Sequence, residues 1–275
     1  MKPVATIILN RNLPKPTDKL YQHIKKYDGE VTDIYVVEAG SDKDKLSKYC
    51  TWHANWKEAT QYGLRYNRGM NFGLSQLWKE KKFNNYEAFF LITNDTELEN
   101  KKSVQKLLTI IRKNKKIGIL SPCSKKWEER KIFGKNNLKF FWYIANNAYF
   151  LNKKFLEKVV NIEKNLSMNF LFDGSNFRGF GSELELIAKS YANDFGVAIT
   201  KEVWCEENET YLKKHSNQIK TESYETNIKL YIDEGLKWMR KKYGFNNKWD
   251  MQNHAKTYYD NFFVNYPEFE KYKLF

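Results

Sequence analysis

Four short apolar runs, each separated from the next by a stretch of helical period, most constrain what this chain can fold into. Residues 5–9 (ATIIL), 32–38 (TDIYVVE), 88–93 (AFFLIT) and 117–120 (IGIL) have the length and the β-branched or aromatic content of strands. Between them, residues 17–26 place Leu20 and Ile24 four apart, and 67–81 open on Asn67-Arg68-Gly69. Residues 103–113 put Val104, Leu107, Leu108 and Ile111 on one face and lysines on the other. Each interval predicts a helix. The run at 88–93 is the most apolar, so it is expected at the centre of the sheet, buried on both faces. Strands joined through helices run parallel, with the helices covering the sheet. The expected fold is therefore α/β and Rossmann-like, with a mostly parallel central sheet flanked by helices.

Past residue 120 the rhythm breaks. Residues 123–139 are polar, basic and aperiodic and are expected to form a long loop. Strand signals return at 143–151 and 197–203, and helical ones at 153–160 and 182–191. From about Ser216 the pattern is helical and aromatic, predicting a domain over 1–215 and a C-terminal helical extension over 216–275. Aromatic residues make up 16% of the 275 residues, enough for a core and too many for wholesale disorder. No apolar run approaches the ~20 residues of a membrane span, and Met1-Lys2-Pro3 leads straight into a strand without a secretory signal. Cys50, Cys123 and Cys205 are scattered and lack CxxC spacing. That argues against a disulfide framework or structural zinc and fits a reducing cytoplasm.

The net charge of +14 is concentrated. Residues 101–164 hold 17 basic and 4 acidic side chains, nearly the whole excess. A lysine-rich genome composition would spread more evenly, so a positive face for an anionic partner is expected: phosphate, an acidic glycan, a membrane surface or nucleic acid. Only 7 of the 47 cations are arginine. That scarcity speaks against base-specific DNA reading, where bidentate arginine is the commonest tool.

Open α/β sheets bind ligands at the carboxyl ends of their strands. Those ends read Asn10-Arg11-Asn12, Glu38 through Asp42, and Thr93-Asn94-Asp95-Thr96-Glu97. An acid just past a buried strand can hold a divalent cation against a diphosphate, because hard cations take carboxylate oxygens together with substrate phosphates. The plainer reading of Asn94-Asp95 is an Asx turn or the N-cap of the next helix. A second cluster runs from Phe172-Asp173-Gly174 to Gly181-Ser182-Glu183-Leu184-Glu185. Ser182 and Glu185 have capping-box spacing. That leaves Glu183 at the first helical position, either as a general base for a hydroxyl or as an acid complementing the helix dipole.

Taken in order, these segments resemble glycosyltransferase family 2, with its GT-A fold, and most of all its rhamnosyltransferase-like branch. The resemblance spans roughly residues 4–215. It rests on Thr6 through Asn12, Val36 through Asp42, Arg65 through Leu74 with Asn71-Phe72-Gly73-Leu74, Phe90 through Leu98, residues 146–154 (NNAYFLNKK), and Phe172 through Leu186. By resemblance, Leu9, Asn10, Asn12, Glu38, Arg65, Asn71, Thr93, Asn94 and Asp95 are expected at the nucleotide sugar. Asp95 falls on the last acid of the family's DxD motif and Thr93 on the first, so one acidic ligand is missing. Glu38 and Glu183 stand where the family commonly has aspartate, at the nucleoside and at the catalytic base. His215 falls near a late histidine that can complete the metal site. Trp127, Trp142, Asp173 and Arg178 are expected on the acceptor side.

The resemblance implies an inverting transfer of a sugar from a nucleotide-diphosphate sugar to an acceptor hydroxyl, with Mn²⁺ or Mg²⁺ on Asp95 and Glu183 as base. The acceptor is expected to be anionic, a glycan or lipid-linked saccharide at the inner membrane face, in the cytoplasm with peripheral membrane contact. Two alternatives stay open: a phage-type transferase acting on a hydroxylated base in DNA in the host cytoplasm, and a non-catalytic or nucleotidyltransferase-type GT-A-like protein.

Overall fold

A computed structural model describes residues 2–124, 129–144, 148–162, 166–219 and 222–274. Nine strands form one sheet: β1 (Val4–Asn10), β2 (Thr32–Glu38), β3 (Cys50–His53), β4 (Ala88–Thr93), β5 (Thr96–Leu98), β6 (Ile117–Ser124), β7 (Leu138–Phe140), β8 (Ala148–Asn152) and β9 (Gly196–Glu207). The order is β3-β2-β1-β4-β8-β6-β9-β5, with β7 also paired to β9. The pairs β1–β2, β1–β4, β2–β3 and β6–β9 are parallel, while β5, β7 and β8 run against their neighbours. Six of the nine strands therefore point one way. As the apolar pattern predicts, β4 is central, hydrogen-bonded to β1 and β8, and residues 88–92 are buried.

Among the described residues ten helices surround the sheet: α1 (Pro14–Asp28), α2 (Lys57–Tyr62), α3 (Arg65–Lys79), α4 (Ser103–Lys113), α5 (Lys153–Val159), α6 (Leu166–Asn169), α7 (Ser182–Ala192), α8 (Glu209–Lys214), α9 (Tyr224–Tyr243) and α10 (Lys248–Asn265). Helix α3 lies close on β1 and β2 because its inner face carries glycine. A Cβ on Gly73 would come within 2.9 Å of Val37 Cγ2, and one on Gly69 within 2.4 Å of Leu9 Cδ1.

The expected loop at 123–139 holds more structure than its composition suggests. β6 runs on through Ser124, a 3₁₀ turn spans Glu129–Ile132, and β7 begins at Leu138. Lys131 and Lys135 there are exposed, and the elements are too short for apolar periodicity to reveal them. The expected strand at 143–151 begins, within the described residues, at Ala148. Helix α10 packs into the main core, while Trp238 and Met239 of α9 form a smaller cluster with Leu184 and Met251. Tyr259, Phe262 and Phe263 of α10 are buried in the main core, and Phe262 stacks on Phe140 at 5.8 Å. Among the described residues no helix is long and apolar enough to cross a membrane.

Candidate active site

The chain turns sharply after β4, and that turn presents Asp95. β5 reverses direction and pairs with the far end of β9, setting Thr96 opposite Glu207. Asn94 anchors the turn from below, donating to Asn10 Oδ1 at 2.7 Å and to Thr17 Oγ1 at 3.1 Å. The Asn208 amide donates to the Asp95 carbonyl at 2.9 Å. The next helix, α4, does not use Asn94 or Asp95 as a cap. Its first amides, from Ser103 and Gln105, donate instead to the Asp28 carboxylate.

Three clefts meet at this turn, and two of them bear on the site. One, of about 360 Å³, is lined by Asp95, Glu183, Glu207, Arg178 and Lys248, with tyrosines forming much of its wall. The other, of about 270 Å³, lies over the ends of β1 and β2 and is lined by Leu9, Asn10, Arg11 and Arg65, with Leu212 and Ile219 closing it. Tyr66, Thr93 and Asp95 line both. The Tyr66 hydroxyl is buried without a hydrogen-bond partner. Burial, and then the charge of Glu183, hold it well above the usual phenol range. A ligand hydroxyl or phosphate oxygen there would satisfy a group that otherwise costs about 1–3 kcal/mol.

Glu183 reaches the first cleft from the first turn of α7. The turn before it needs glycine, because Gly181 sits at φ 78° and a Cβ there would lie 2.0 Å from Met239 Cε. The capping box expected from Ser182 and Glu185 does not form. The Ser182 hydroxyl donates back to the Gly179 carbonyl at 2.8 Å, and Ser182 itself opens the helix. Glu185 is buried and accepts from Lys242 Nζ and Tyr243 Oη, each at 2.7 Å. Glu183 is ion-paired to Lys248 of α10 at 3.0 Å. Burial alone would lower the Lys248 ammonium, but the Glu183 carboxylate outweighs it and holds lysine above its usual range.

Several residues expected at the nucleotide sugar serve the scaffold instead. Glu38 is fully buried, and its carboxylate accepts from Asn10 Nδ2 (2.8 Å), Ser41 Oγ (2.5 Å) and the Ser47 amide (2.8 Å). It braces the β1 and β2 ends rather than facing a nucleoside. Asn71 is equally buried and staples α3 to the segment after α6, accepting from the Leu171 and Phe172 amides. Asn12 is buried and ties the β1 loop to the C-terminal segment through the Gln218 carbonyl at 2.8 Å. Leu9, Asn10, Arg65, Thr93, Asn94 and Asp95 do line the second cleft.

On the expected acceptor side, only Arg178 lines the first cleft. Trp142 packs edge-on against Tyr259 at 5.0 Å, so it is part of the α10 packing. Asp173 accepts from Lys242 (2.6 Å) and Trp238 (3.0 Å) of α9 and clamps that helix to the glycine-rich loop. Burial raises its pKa, but these partners and Ser175 outweigh it and hold the carboxyl well below the usual range. Trp127 lies outside the described residues. None of the described cations of residues 101–164 lines either cleft. Lys101, Lys102 and Lys106 instead line a separate groove along α4, together with Lys201. Among the described residues, the concentrated charge therefore does not surround Glu183.

His215 stacks on Tyr211 at 4.0 Å, with Nδ1 2.8 Å from the Tyr211 carbonyl. Among the described residues no three His, Cys, Asp or Glu side chains come together as a metal site. The donor set fits a hard cation that arrives with its phosphates, for which one or two carboxylates suffice. Asp95 is one, and Glu207, placed by the β5–β9 pairing, lines the same cleft. Sequence reasoning missed Glu207, Tyr66 and Lys248. Tyr66 had a signal, since it follows Arg65 inside a recognised segment. Lys248 had none.

No protein-family model matches this chain, and no curated protein is similar to it in sequence. Solved structures resemble it in fold. GalNAc-T7, solved with UDP, GalNAc and Mn²⁺, aligns with a TM-score of 0.58 at 9% identity, over 100% of this chain and 58% of that one. TarS of S. aureus aligns with a TM-score of 0.54 at 12% identity, over 87% of this chain and 48% of that one. The chain thus spans about half the length of these two proteins. Both are GT-A glycosyltransferases, and the curled sheet flanked by helices described above is that fold.

Proposed function

We propose that this protein is a glycosyltransferase of family 2 type that uses a nucleotide-diphosphate sugar. One observation carries the reading: Asp95 sits where those two clefts meet, with Glu183 on the wall of one and the β1 and β2 ends forming the floor of the other. Two acids 88 residues apart in the chain share one crevice, as the chemistry needs. The donor nucleotide lies over Asn10 and Arg65, and its sugar reaches past Tyr66 into the tyrosine-walled cleft. Asp95, with Glu207 beside it, would hold a Mn²⁺ or Mg²⁺ that supplies positive charge to the leaving diphosphate.

Glu183 takes the proton of the acceptor hydroxyl as its oxygen forms the new bond to the anomeric carbon. The bond from that carbon to the diphosphate oxygen breaks on the opposite face, and its electron pair leaves with the diphosphate. The result is inversion without a covalent enzyme intermediate. Lys248 keeps the Glu183 carboxylate oriented between turnovers. The acceptor is a saccharide hydroxyl. Four tyrosines (Tyr66, Tyr143, Tyr149 and Tyr231) line this cleft, and their faces suit sugar rings.

The test is a panel of nucleotide sugars, with Mn²⁺ and with chelator, read by thermal shift and by donor hydrolysis. The expected result is stabilisation by one nucleotide class and slow hydrolysis that Glu183→Gln abolishes while nucleotide binding survives. Hydrolysis unchanged in Glu183→Gln would remove the base assignment. No stabilisation by any nucleotide sugar would remove the reading as a whole.

A further inference from the structure

The chain holds 40 lysines and 7 arginines, yet three of those seven arginines line the clefts and a fourth, Arg68, stands beside them. Arg65, Arg68 and Arg178 surround the ring of Phe177, with guanidinium carbons 5.6, 4.7 and 5.7 Å from its centroid. Arg11 joins the row from the end of β1. Where a chain otherwise uses lysine so heavily, a cluster of planar, always-charged forks points to a role that an ammonium would not fill.

The row runs along both clefts. Arg11 and Arg65 line the one over β1 and β2, and Arg178 lines the one that holds Glu183. Its counter-ions come from the C-terminal part of the chain. Glu222 accepts from Arg65 Nη2 at 3.2 Å and from Arg178 Nη2 at 2.5 Å, and Glu234 pairs with Arg178 Nη1. Asn227 Oδ1 bridges Arg65 Nη1 and Arg178 Nε. These partners do not satisfy the row. Arg11 is only 9% exposed, and its Nε and Nη1 are buried without partners, as is Arg65 Nε. Burial, then the charge of Arg65, lower the Arg11 pKa to about 10, and burial with Arg178 lowers that of Arg65. Against these three guanidiniums stand Glu222, Glu234 and, acting on Arg11, Asp42, so what the row holds in reserve beside Asp95 is unspent donors rather than net charge.

We infer that Arg11, Arg65 and Arg178 form an anion seat for the donor's diphosphate, which Glu222 occupies as an internal counter-ion when no donor is bound. The assignment to a diphosphate rests on the glycosyltransferase reading, whereas the anion seat rests on the arginines themselves. In the family pattern an acid at position 93 would strengthen the cation site, and here that position is Thr93. Once Glu222 is displaced, the arginine row supplies part of the same charge from the protein side. Diphosphate binding therefore persists without a divalent cation, and it is tuned by a residue of the segment that leads into α9.

The test is titration calorimetry of the full chain with inorganic pyrophosphate, UDP and GDP in excess chelator. The probes are expected to bind the wild type under these conditions. Arg65→Lys keeps the charge but loses the fork, and is expected to weaken binding about tenfold, the scale of one charge-assisted hydrogen bond. Glu222→Gln removes the resident counter-ion and is expected to tighten binding several-fold, a gain that an unfolded variant could not give. Binding that appears only with Mn²⁺, or affinities unmoved by both substitutions, would overturn the seat. Pyrophosphate bound with these dependences while neither nucleotide binds would uphold the seat and overturn the donor reading.

Discussion

Asp95 and Glu183 face one crevice but are held in opposite ways. Asp95 stands just past the buried central strand β4, which runs parallel to β1 and antiparallel to β8. Its position follows from β4 and from the turn that Asn94 anchors on Asn10 and Thr17. Glu183 stands on a helix whose approach is set by glycines, and its direct partner, Lys248, arrives from α10, 65 residues later. One acid is placed by the strand ends of the sheet and the turn they anchor, the other by a helix start against which the C-terminal helices dock. Substitutions that loosen α10 should therefore reach the base and leave the Asp95 turn intact.

The largest effect expected is at the base itself. Glu183→Gln keeps the shape and most hydrogen bonds but cannot accept the proton. Sugar transfer should fall by about 10²–10⁴, the usual contribution of a positioned general base. Steady-state rates with a saturating donor, next to nucleotide binding by calorimetry, check it. A rate within a few-fold of wild type would show that the two acids do not divide the work as described. Asp95→Asn should cost less, about 10²–10³ in rate, the scale of losing one electrostatic contact to developing charge. It should also raise the Mn²⁺ concentration needed for half-maximal rate. An unchanged metal requirement would mean that Asp95 shapes the turn rather than meeting the diphosphate.

The same division explains what the sequence made legible. β2 and β4 lie where their apolar runs end, because a strand buried on both faces writes its own pattern. β3 and β7 did not announce themselves, since Cys50–His53 and Leu138–Phe140 are short and half polar. Motif resemblance picked out segments whose acids Asp95 and Glu183 line one cleft, but it is silent on where side chains point. Glu38 and Asn71 sit in matching motifs, yet both turn inward and are consumed by amides and hydroxyls. Glu185 likewise reads as a cap and is in fact a buried anchor for α9. Lys248 could not be found from sequence at all. Its role depends on α10 folding back over α7, a tertiary fact carried by aromatic packing around Tyr259 and Phe262.

That docking can be tested without touching the base. Asp173 receives Lys242 and Trp238 and so fastens α9 to the glycine-rich loop that precedes Glu183. Asp173→Asn should destabilise the protein by about 1.5–3 kcal/mol at neutral pH, the range for hydrogen bonds to a charged group. Because the folded carboxyl lies below its ordinary value, its contribution is fully present above the unfolded pKa of about 3.9 and is lost as pH falls through the folded value. Urea melts of the two proteins should differ most near neutrality and converge well below pH 4. A constant gap across that range would assign the loss to packing.

The smallest effect expected lies at the Glu183–Lys248 pair, where stability and catalysis separate. Lys248 has its folded pKa raised by Glu183, so its contribution is present below the unfolded value of about 10.4 and fades as pH rises through the folded one. Lys248→Met keeps much of the lysine stem's packing and removes the charge. It should lower stability by about 1 kcal/mol or less, as for other partly exposed ion pairs. The difference from wild type should hold steady between pH 7 and 9 and shrink above the lysine range. In Glu183→Gln the same Lys248→Met change should cost less than it does alone, since neighbours that interact are not additive. If the two losses simply add, Lys248 does not act through the base. The docking of α10 would then matter to the cleft only as a wall, and the contrast between the two acids would reduce to one of distance along the chain.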